Sequence, residues 1–424
     1  MANITIRNQM ALLHRRAGLG LRPGELDAIS AQGATAFGEI DRLITGAKGG
    51  SSTNSFPSVN VSKLDLFQKK VNVELTANSW IEQLVASNDP LGDRMTWLWH
   101  GHLVAGYDKV KNPQLMIPYI SLLRTHAVGN FRNLLRALTT DAAMLVYLDG
   151  EKNRGKAPNE NYSREVLELF TLGLNYNGQP TFTEADVTAG AKALSGWTAG
   201  KYSTKVAFEP KRHENAPQAY LGRQVHDVDT VIDAILAHKG CAQFVTQRVA
   251  KALFGSAVDV GLVTAAADQF RSSGYDISTM LTVLLRGAVT TPSPRFVGAP
   301  VPWLVSLRRA TGATLAPAAQ AVHLAAAGQL PLDPPNVSGW PSGNSWLAAG
   351  TVIERSNLAG LLATSTPASS VVTVAAARSD WQQLADGLGR PEGFSAAEIS
   401  VLAGRANVTE RLMLAFASPT MVEI

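Results

Sequence analysis

Residues 158 to 173, PNENYSREVLELFTLG, carry three glutamates and an arginine within nine positions. A helix from about Glu160 to Leu172 would separate a polar face from an apolar one. The polar face holds Asn161, Arg164, Glu165, Glu168 and Thr171. Two carboxylates three residues apart on a helix project together, and neighbouring carboxylates can differ in pKa so that one acts as acid and the other as base. The spacing of Glu165 and Glu168 therefore predicts acid/base chemistry of the kind used in glycoside hydrolysis.

The same stretch supplies two kinds of candidate residue. The candidate catalytic residues are Glu160, Glu165 and Glu168, and the candidate substrate-binding residues are Asn161, Tyr162 and Arg164. The pattern is also typical of an ordinary solvated helix face, because Glu160 and Arg164 stand four residues apart in the orientation that favours an ion pair. A catalytic cleft and a wet surface remain alternatives on the pattern alone.

Two histidines, His100 and His102, form an H-x-H pair in the sequence WLWHGHL. On a continuous helix, residues two positions apart point about 200° away from each other, so the two rings cannot share one metal ion. The H-E-x-x-H spacing of zinc proteases and the E-x-x-H spacing of di-iron proteins are absent. We predict no cofactor, and the alternative is a divalent or transition metal held by His100, His102 and Glu165 if the helix breaks at Gly101.

Further candidate residues lie outside this stretch. His102 and His126 are candidate catalytic partners, and Arg124 is a candidate substrate-binding residue near His126. A predicted helix ends near His126, and the helix dipole favours a cation there, so a capping role is the alternative. Trp197 and Trp340 are candidate substrate-binding residues, since an aromatic side chain on a loop forms a platform for a sugar or fills a hydrophobic gap.

Helical periodicity extends over most of the chain, and no alternation of strands and helices is visible. We predict a mainly α fold, a large multi-helix globular domain with long loops and at most a small β-hairpin. The hairpin or a long loop is expected at residues 198–229, and a Gly/Ser-rich loop at residues 46–58. Residues 1–45 are predicted to form an N-terminal helical motif, residues 60–365 a single helical core domain, and residues 366–424 a C-terminal helical tail packed on the core.

The composition and charge of the chain limit the binding partners and the cellular location that we expect. The net charge of +4 is small for 424 residues, and no block of five basic residues occurs, so nucleic-acid binding is not expected. No apolar run of 18 residues occurs, so no membrane span is expected. The N-terminus lacks the apolar segment and cleavage site of a signal peptide, which predicts a cytoplasmic protein, or an exported one if a leader was removed.

Six phrases of the sequence, taken in their order along the chain, are distinctive. They are ALLHRRAGLGLRPGELDAI, WLWHGHLV, LMIPYISLLRTHAVGNFRNLLRALTTDAAMLVYLD, APNENYSREVLELFTLG, FTEADVTAGAKALSGW and PPNVSGWPSGNSWL. Together, from about Leu12 to Asn357, they resemble the bacterial domain of unknown function 1800 family. The segment from Asn159 to Tyr162, continued by Arg164, Glu165, Glu168 and Gly173, matches the family's most recognisable signature. Trp99, His100 and His102 match its Trp-His-x-His phrase.

The resemblance has limited implications for function, because the family has no established activity. Many members look exported, and their genes often lie beside those of a sulfatase-like family, which implies work on an envelope or extracellular polymer and a partner protein of that kind. A signature made of polar residues favours a cleft-lining face over a plain solvated one.

Three hypotheses follow from the residues and the resemblance together. The first is a hydrolase or lyase that uses the glutamate cluster on a glycan-like or anionic envelope polymer. The second is a metal-dependent enzyme that uses the His-x-His pair with a glutamate. The third is a non-catalytic binding or assembly module, in which the polar cluster is a hydrogen-bond network that stabilises the fold.

Overall fold

The structure is a computed structural model that describes residues 5–49, 69–200 and 204–424. Helices dominate the described residues, and strands occur there only as short antiparallel pairs. Buried hydrophobic side chains from Leu13 to Met421 form one continuous core. The predicted mainly α fold is therefore confirmed. Within the described ranges, no helix combines the length and hydrophobicity needed to span a bilayer.

The first nine helices precede the glutamate-rich stretch. They are α1 (Ile6–Arg16), α2 (Glu25–Ala31), α3 (Ala36–Lys48), α4 (Lys69–Ala86), α5 (Pro90–His102), α6 (Tyr107–Val110), α7 (Pro113–Thr125), α8 (Phe131–Thr139) and α9 (Ala142–Tyr147). Of the loop predicted at residues 46–58, the first three residues belong to α3, and residues 50–58 lie outside the described ranges.

Side-chain caps explain where many of these helices begin. Asp89 accepts the backbone N–H of Gly92 before α5, and Asn130 accepts those of Arg132 and Asn133 before α8. Each cap satisfies a backbone donor that has no partner inside the helix. Helix α5 ends at His102, and every residue of α5 except Gly101 is buried.

The signature helix, residues Asn161–Thr171, consists of α10 (Asn161–Glu165) and a π-helical segment (Val166–Thr171). Helix α11 (Glu184–Ala193) follows and packs against α10. Its N-terminus carries a capping box, in which the Thr183 hydroxyl accepts the Asp186 N–H and the Asp186 carboxylate accepts the Thr183 N–H.

Three small hairpins interrupt the helices in the described part of the chain, where the sequence predicted at most one. They are β1 (Asn175–Tyr176) with β2 (Gln179–Pro180), β3 (Trp197–Ala199) with β4 (Val206–Phe208), and β5 (Gln218–Tyr220) with β6 (Arg223–Val225). Two of these hairpins lie within residues 197–225, where the sequence predicted a loop or one hairpin. Residues 201–203, between β3 and β4, lie outside the described ranges. Asn177 and Gly178, both with positive φ, form the β1–β2 turn, as Asn-Gly pairs commonly do.

The remaining helices complete the core. They are α12 (Val228–Ala237), α13 (Lys239–Phe254), α14 (Val260–Ser272), α15 (Ile277–Thr290), α16 (Pro300–Thr311), α17 (Pro317–Ala326), α18 (Ala349–Ser365), α19 (Val371–Arg378), α20 (Trp381–Gly387), α21 (Ala396–Ala403), α22 (Val408–Ala417) and α23 (Pro419–Val422). Short 3-10 turns occupy Gly150–Lys152, Pro210–Arg212 and Gly343–Leu347.

The two ends of the chain meet through arginines of α1. Arg15 donates to the carbonyl of Gly389 and forms an ion pair with Glu392 at 2.9 Å. Arg16 donates to the carbonyls of Ser293 and Ile424. The first phrase of the sequence, which contains these arginines, therefore fastens α1 to the C-terminal residues.

The buried cap of α9 gives the fold a pH-dependent stability. The carboxylate of Asp141 accepts the backbone N–H of Met144, and burial raises the pKa of Asp141 from 3.8 to about 6. The carboxyl group of Asp141 therefore holds its proton more tightly in the folded state than in the unfolded state. The stability that this protonated group contributes is complete below about pH 4 and is lost as the pH rises through about 6.

We predict that Asp141→Asn raises the melting temperature at neutral pH and flattens its decline between acidic and neutral pH. Asparagine retains the cap and removes the buried charge. Asp276, the cap of α15, is the matched control, because hydrogen bonds from Ser278 and Thr279 outweigh burial and lower its pKa. Asp276→Asn should lower the melting temperature at neutral pH, measured by thermal unfolding at several pH values. A steeper decline in Asp141→Asn would contradict the assignment.

Candidate functional site

The signature helix departs from regular α-helix in its second half. The N–H of Leu172 donates to the carbonyl of Leu167 at 2.9 Å, an i→i+5 bond, and the Thr171 hydroxyl donates to the Val166 carbonyl. Such π-helical turns are rare and are often found at functional sites. The extra residue per turn rotates the following side chains, so Thr171 is buried although the regular period placed it on the polar face.

Gly173 ends the signature helix with a φ of +70°. A β-carbon at this position would lie 2.7 Å from the ring of Phe244, so the close approach of α13 requires glycine as well. Gly173 therefore ends the helix in the manner of a glycine C-cap.

The first turn of the signature helix is tied to α11 by a hydrogen-bonded ion cluster. Arg164 donates to both carboxylate oxygens of Glu184 at 2.8 and 2.7 Å and to Glu160 at 3.3 Å. The hydroxyl of Thr188 donates to the other oxygen of Glu160 at 2.6 Å. The carboxylate of Glu160 and the guanidinium of Arg164 are therefore occupied by protein partners, and both side chains are about one-third exposed.

Two other signature residues serve as structural contacts. Tyr162 is buried, and its hydroxyl lies 2.7 Å from that of Thr139. Asn161 is exposed and donates to Asp149 at 3.1 Å. Asp149 also accepts hydrogen bonds from Lys109, at 2.6 Å, and from Lys152. Lys109 and Lys152 are therefore both paired with Asp149.

Glu165 and Glu168 differ from Glu160 in having no hydrogen-bond or ion-pair partner among the described residues, and both are half-buried. Burial raises the pKa of Glu165, the neighbouring Glu168 raises it further, and Arg164 opposes the shift. The protonated form of Glu165 is therefore favoured relative to an exposed glutamate.

Glu165 belongs to a group that we call the Tyr147 cluster, defined as Tyr147, Asp108, Glu165 and Asp333. Burial raises the pKa of Tyr147 to about 12, and the electrostatic influence of Asp108, Glu165 and Asp333 adds to the shift. Burial also raises the pKa of Asp333, as does Asp108, although Asp333 accepts the backbone N–H of Asp108. The cluster combines segments that lie more than 200 positions apart in the sequence.

Tight backbone contacts bring two of these segments together. The N–H of Tyr107 donates to the carbonyl of Leu332 at 2.7 Å. A β-carbon on Gly106 would lie 2.5 Å from Asp108 Oδ1 and 3.1 Å from Tyr147 Cε2, so only glycine allows both side chains to pack there.

Left-handed backbone conformations surround the Tyr147 cluster. Lys111, Asp149 and Leu332 have φ values of 54°, 57° and 70° although none is glycine. Residues other than glycine seldom adopt this conformation, and such strained residues concentrate at functional sites. Leu332 directly precedes Asp333, so the strained residue fixes the direction in which the chain presents that carboxylate.

His102 holds the signature helix in place. Its Nε2–H donates to the carbonyl of Phe170 at 2.9 Å, inside the π-helical segment. Burial lowers the pKa of His102 to about 3, and Arg248 lowers it further, so the ring is neutral. His102 therefore acts on the signature helix through a backbone hydrogen bond.

His100 lies in a separate aromatic environment. Its ring packs against Trp80 and Trp340, with centroids 5.3 and 5.1 Å away, and its Nδ1 lies 3.4 Å from the hydroxyl of Tyr119. Burial lowers the pKa of His100 to about 3. The structure does not bring His100, His102 and Glu165 together as metal ligands. Nowhere in residues 5–49, 69–200 and 204–424 do three His, Cys, Asp or Glu side chains form a group that could hold a metal ion.

Arg124 lies at the other end of α5, away from His102. Arg124 forms an ion pair with buried Asp93, with Nε and Oδ1 2.7 Å apart. Asp93 precedes His102 by nine residues, which is about 13 Å along the helix axis. His126 is the C-cap residue of α7 and is half-buried.

The two candidate tryptophans face protein neighbours. Trp340 stacks on Trp97 with centroids 5.1 Å apart and an interplanar angle of 9°. Trp197 packs against Phe208 across the β3–β4 hairpin at 5.3 Å. Both are only partly buried, so an edge of each ring remains open to solvent.

Sequence reasoning missed three members of the Tyr147 cluster. Tyr147 and Asp108 lie in the phrases LVYLDG and AGYDKV, and Asp333 lies between leucine and two prolines in PLDPPNVSGW. An acidic residue in a proline-rich loop was the available signal for Asp333. No local signal links these positions, because their proximity depends on contacts between distant segments.

We predict that His102→Leu lowers the free energy of unfolding by about 1–3 kcal/mol, because it leaves the buried Phe170 carbonyl without a donor. His102→Gln should cost less, since its amide N–H can replace the imidazole N–H. Exposed His226 provides the control, and His226→Gln should leave stability unchanged. Chemical denaturation measures all three, and a His102→Leu variant as stable as the wild type would refute the role of this hydrogen bond.

Comparison with known proteins identifies the family of this chain. No curated protein and no solved structure matches the chain. One family matches residues 12–421, nearly the entire sequence, and is described as protein of unknown function (DUF1800). The chain therefore belongs to the DUF1800 family.

Proposed function

We propose that this protein is a hydrolase or lyase that acts on a glycan-like polymer by acid/base catalysis, with Glu165 as the general acid. One observation carries the proposal. Glu165 is a half-buried carboxyl group with no hydrogen-bond donor among the described residues, and a second unpaired carboxyl group, Glu168, follows one helical turn later. A general acid must keep its proton near the working pH, and burial together with a neighbouring carboxylate favours that state.

Glu168 is the proposed second carboxylate. In glycoside hydrolysis, one carboxyl group protonates the leaving oxygen while the other activates water or stabilises the developing positive charge on the sugar. Glu165 and Glu168 are both free of protein partners in the described part of the chain, so they are available for these two roles. The Tyr147 cluster, which includes Glu165, is the proposed place at which the polymer binds.

The other predicted residues receive positioning roles in this proposal. Glu160 and Arg164 are engaged with Glu184 and Thr188, so they orient the signature helix on α11. His102 holds the same helix through the Phe170 carbonyl. Arg124 stabilises the opposite end of α5 through its ion pair with Asp93, whereas His126 is the C-cap residue of α7.

The charge of the site favours a neutral or cationic polymer over an anionic one. Asp108, Glu165 and Asp333 lie around Tyr147, whereas nearby Lys109 is already paired with Asp149. A sulfated or phosphorylated chain would meet uncompensated carboxylates and be repelled. We therefore propose a glycan without acidic groups at the segment that contacts Glu165.

We predict that purified protein releases new reducing ends from oligosaccharides or isolated cell-wall glycans, and that Glu165→Gln reduces the rate by at least about 100-fold. Glutamine has nearly the same shape but cannot donate the proton. Glu184→Gln is the matched control, since Glu184 lies nearby in the Arg164 ion cluster and should retain most of the activity. Equal rates in wild type and Glu165→Gln would eliminate Glu165 as the general acid.

The melting temperatures of two variants distinguish a catalytic role of Glu165 from a role in a purely structural hydrogen-bond network. The raised pKa of Glu165 means that the stability it contributes at acidic pH is lost as the pH rises through its folded-state pKa. Glu165→Gln should therefore keep or raise the melting temperature at neutral pH. Glu160→Gln should lower it, because Glu160 accepts hydrogen bonds from Arg164 and Thr188. A large loss of stability in Glu165→Gln would instead favour a binding or assembly module.

A further inference from the structure

Residues 334–345, PPNVSGWPSGNS, form an uncharged loop that crosses α5. Among the described residues, every hydrogen bond of this loop stays within it or reaches the few residues that follow it. The side chains of Val337 and Trp340 pack on the core. The backbone of Gly339 touches that of Gly101. A segment attached by packing alone can leave its position without breaking a hydrogen bond to the rest of the fold.

The indole of Trp340 covers three buried rings that we call the aromatic box, defined as Trp80, Trp97 and His100. Trp340 stacks on Trp97 with centroids 5.1 Å apart and an interplanar angle of 9°. It meets the His100 ring at 5.1 Å and 71°. Trp80 lies 5.2 Å from Trp97 and 5.3 Å from His100. The box residues are buried and Trp340 is partly exposed, so removal of this indole would open the box to solvent.

His100 carries an acceptor atom that has no donor. Tyr119 donates its single hydroxyl hydrogen to the Leu103 carbonyl, so the 3.4 Å contact of its oxygen with His100 Nδ1 requires the hydrogen on Nδ1. Because burial keeps the ring neutral, Nε2 has a lone pair and no hydrogen. This nitrogen is fully buried and has no hydrogen-bond partner among the described residues. Buried acceptors ordinarily have a donor, so Nε2 marks a place for a donor from outside the protein.

The indole N–H of Trp340 is unpaired as well. Its Nε1 is buried and has no acceptor among the described residues, although a buried indole usually donates a hydrogen bond. The closed loop therefore bears the desolvation cost of one donor and one acceptor. Opening of the loop with a ligand removes both costs, because water can accept from the indole and a hydroxyl group of the ligand can donate to His100 Nε2.

We propose that residues 334–345 are a lid, and that the aromatic box beneath it binds a sugar ring of the glycan. When the lid lifts, Trp340 leaves Trp97, the apolar face of the sugar stacks on Trp97, and a sugar hydroxyl donates to His100 Nε2. The identity of the ligand as a sugar rests on the proposed function, whereas the lid and its pocket rest on the contacts of Trp340 and His100. Trp97 and His100 hold the polymer and take no part in bond cleavage.

The variant Gly339→Ala tests the lid by keeping it from closing. A β-carbon at this position would lie 2.1 Å from the Gly101 carbonyl oxygen, so the closed contact cannot form. Gly343→Ala is the matched control. Gly343 belongs to the same loop and also has a positive φ, of 57°, but the position of its β-carbon is open space.

Calorimetric titration with two neutral probes, a β-1,4-linked glucose tetramer and an N-acetylglucosamine tetramer, measures binding. We expect Gly339→Ala to bind at least one tetramer at least about fivefold more tightly than the wild type, because an open population bears no cost of opening. Gly343→Ala should bind like the wild type. No binding of either tetramer by Gly339→Ala, or an equal gain in Gly343→Ala, would overturn the inference.

Substitutions of His100 in the Gly339→Ala background test the acceptor. His100→Phe keeps a ring in the box and removes the acceptor, so it should weaken binding about tenfold. His100→Gln, whose amide oxygen can accept a hydrogen bond, should lose less. Thermal unfolding of both variants reports whether the fold is intact, and equal affinities of the two would exclude His100 Nε2 as the acceptor.

Tryptophan fluorescence distinguishes a lid from a fixed platform. Binding should move Trp340 into solvent, so the tetramer should increase the quenching of wild-type fluorescence by acrylamide. Trp340→Phe should bind the tetramer without this increase. A decrease in quenching on binding would mean that the sugar stacks on the closed loop, and the lid would be refuted.

The outcomes also separate this inference from the proposed function. Hydrolysis that depends on Glu165, with equal binding by the wild type and Gly339→Ala, would support the catalytic role and refute the lid. Tighter binding by Gly339→Ala together with the increase in quenching, but without hydrolysis of either tetramer, would support the lid and its pocket and count against the catalytic role on these sugars.

Discussion

The hydrogen bond from His102 to the carbonyl of Phe170 joins the buried helix α5 to the signature helix, and the geometry of the candidate site depends on it. Phe170 lies in the π-helical segment, where the wider turn alters which side chains face the core. A neutral imidazole suits this position, because burial disfavours its charged form. The H-x-H phrase thus has a physical reason that does not involve a metal, since each ring contacts a different side of the core.

A second constraint acts where α5 ends and the proline-rich loop 331–346 crosses it. A β-carbon on Gly339 would lie 2.1 Å from the Gly101 carbonyl oxygen, so the two backbones touch and glycine is required. Trp340 then stacks on Trp97. The same crossing includes the hydrogen bond from Tyr107 to Leu332, which places Asp333 beside Asp108. Helix α5 therefore determines the position of both the signature helix and the loop that supplies the opposing carboxylate.

The three glutamates of the signature have different physical situations despite their similar appearance in the sequence. Glu160 is hydrogen-bonded to Thr188 and Arg164, which is why it stabilises the contact between α10 and α11. Glu165 lacks such donors, and its raised pKa reflects burial and the adjacent Glu168. The sequence pattern named all three as candidate catalytic residues. It could not separate them, because the distinction comes from α11 and the Tyr147 cluster rather than from neighbours along the chain.

The sequence by itself determined the helical class, because the periodicity of apolar residues depends only on neighbours within a few positions along the chain. It also identified the glutamate-rich stretch as the most informative segment. Only the tertiary structure decided that Glu165 lies with Tyr147, Asp108 and Asp333, since the loops that carry these residues are joined by long-range backbone contacts. Burial and unpaired charge are properties of that assembly, and no local pattern encodes them.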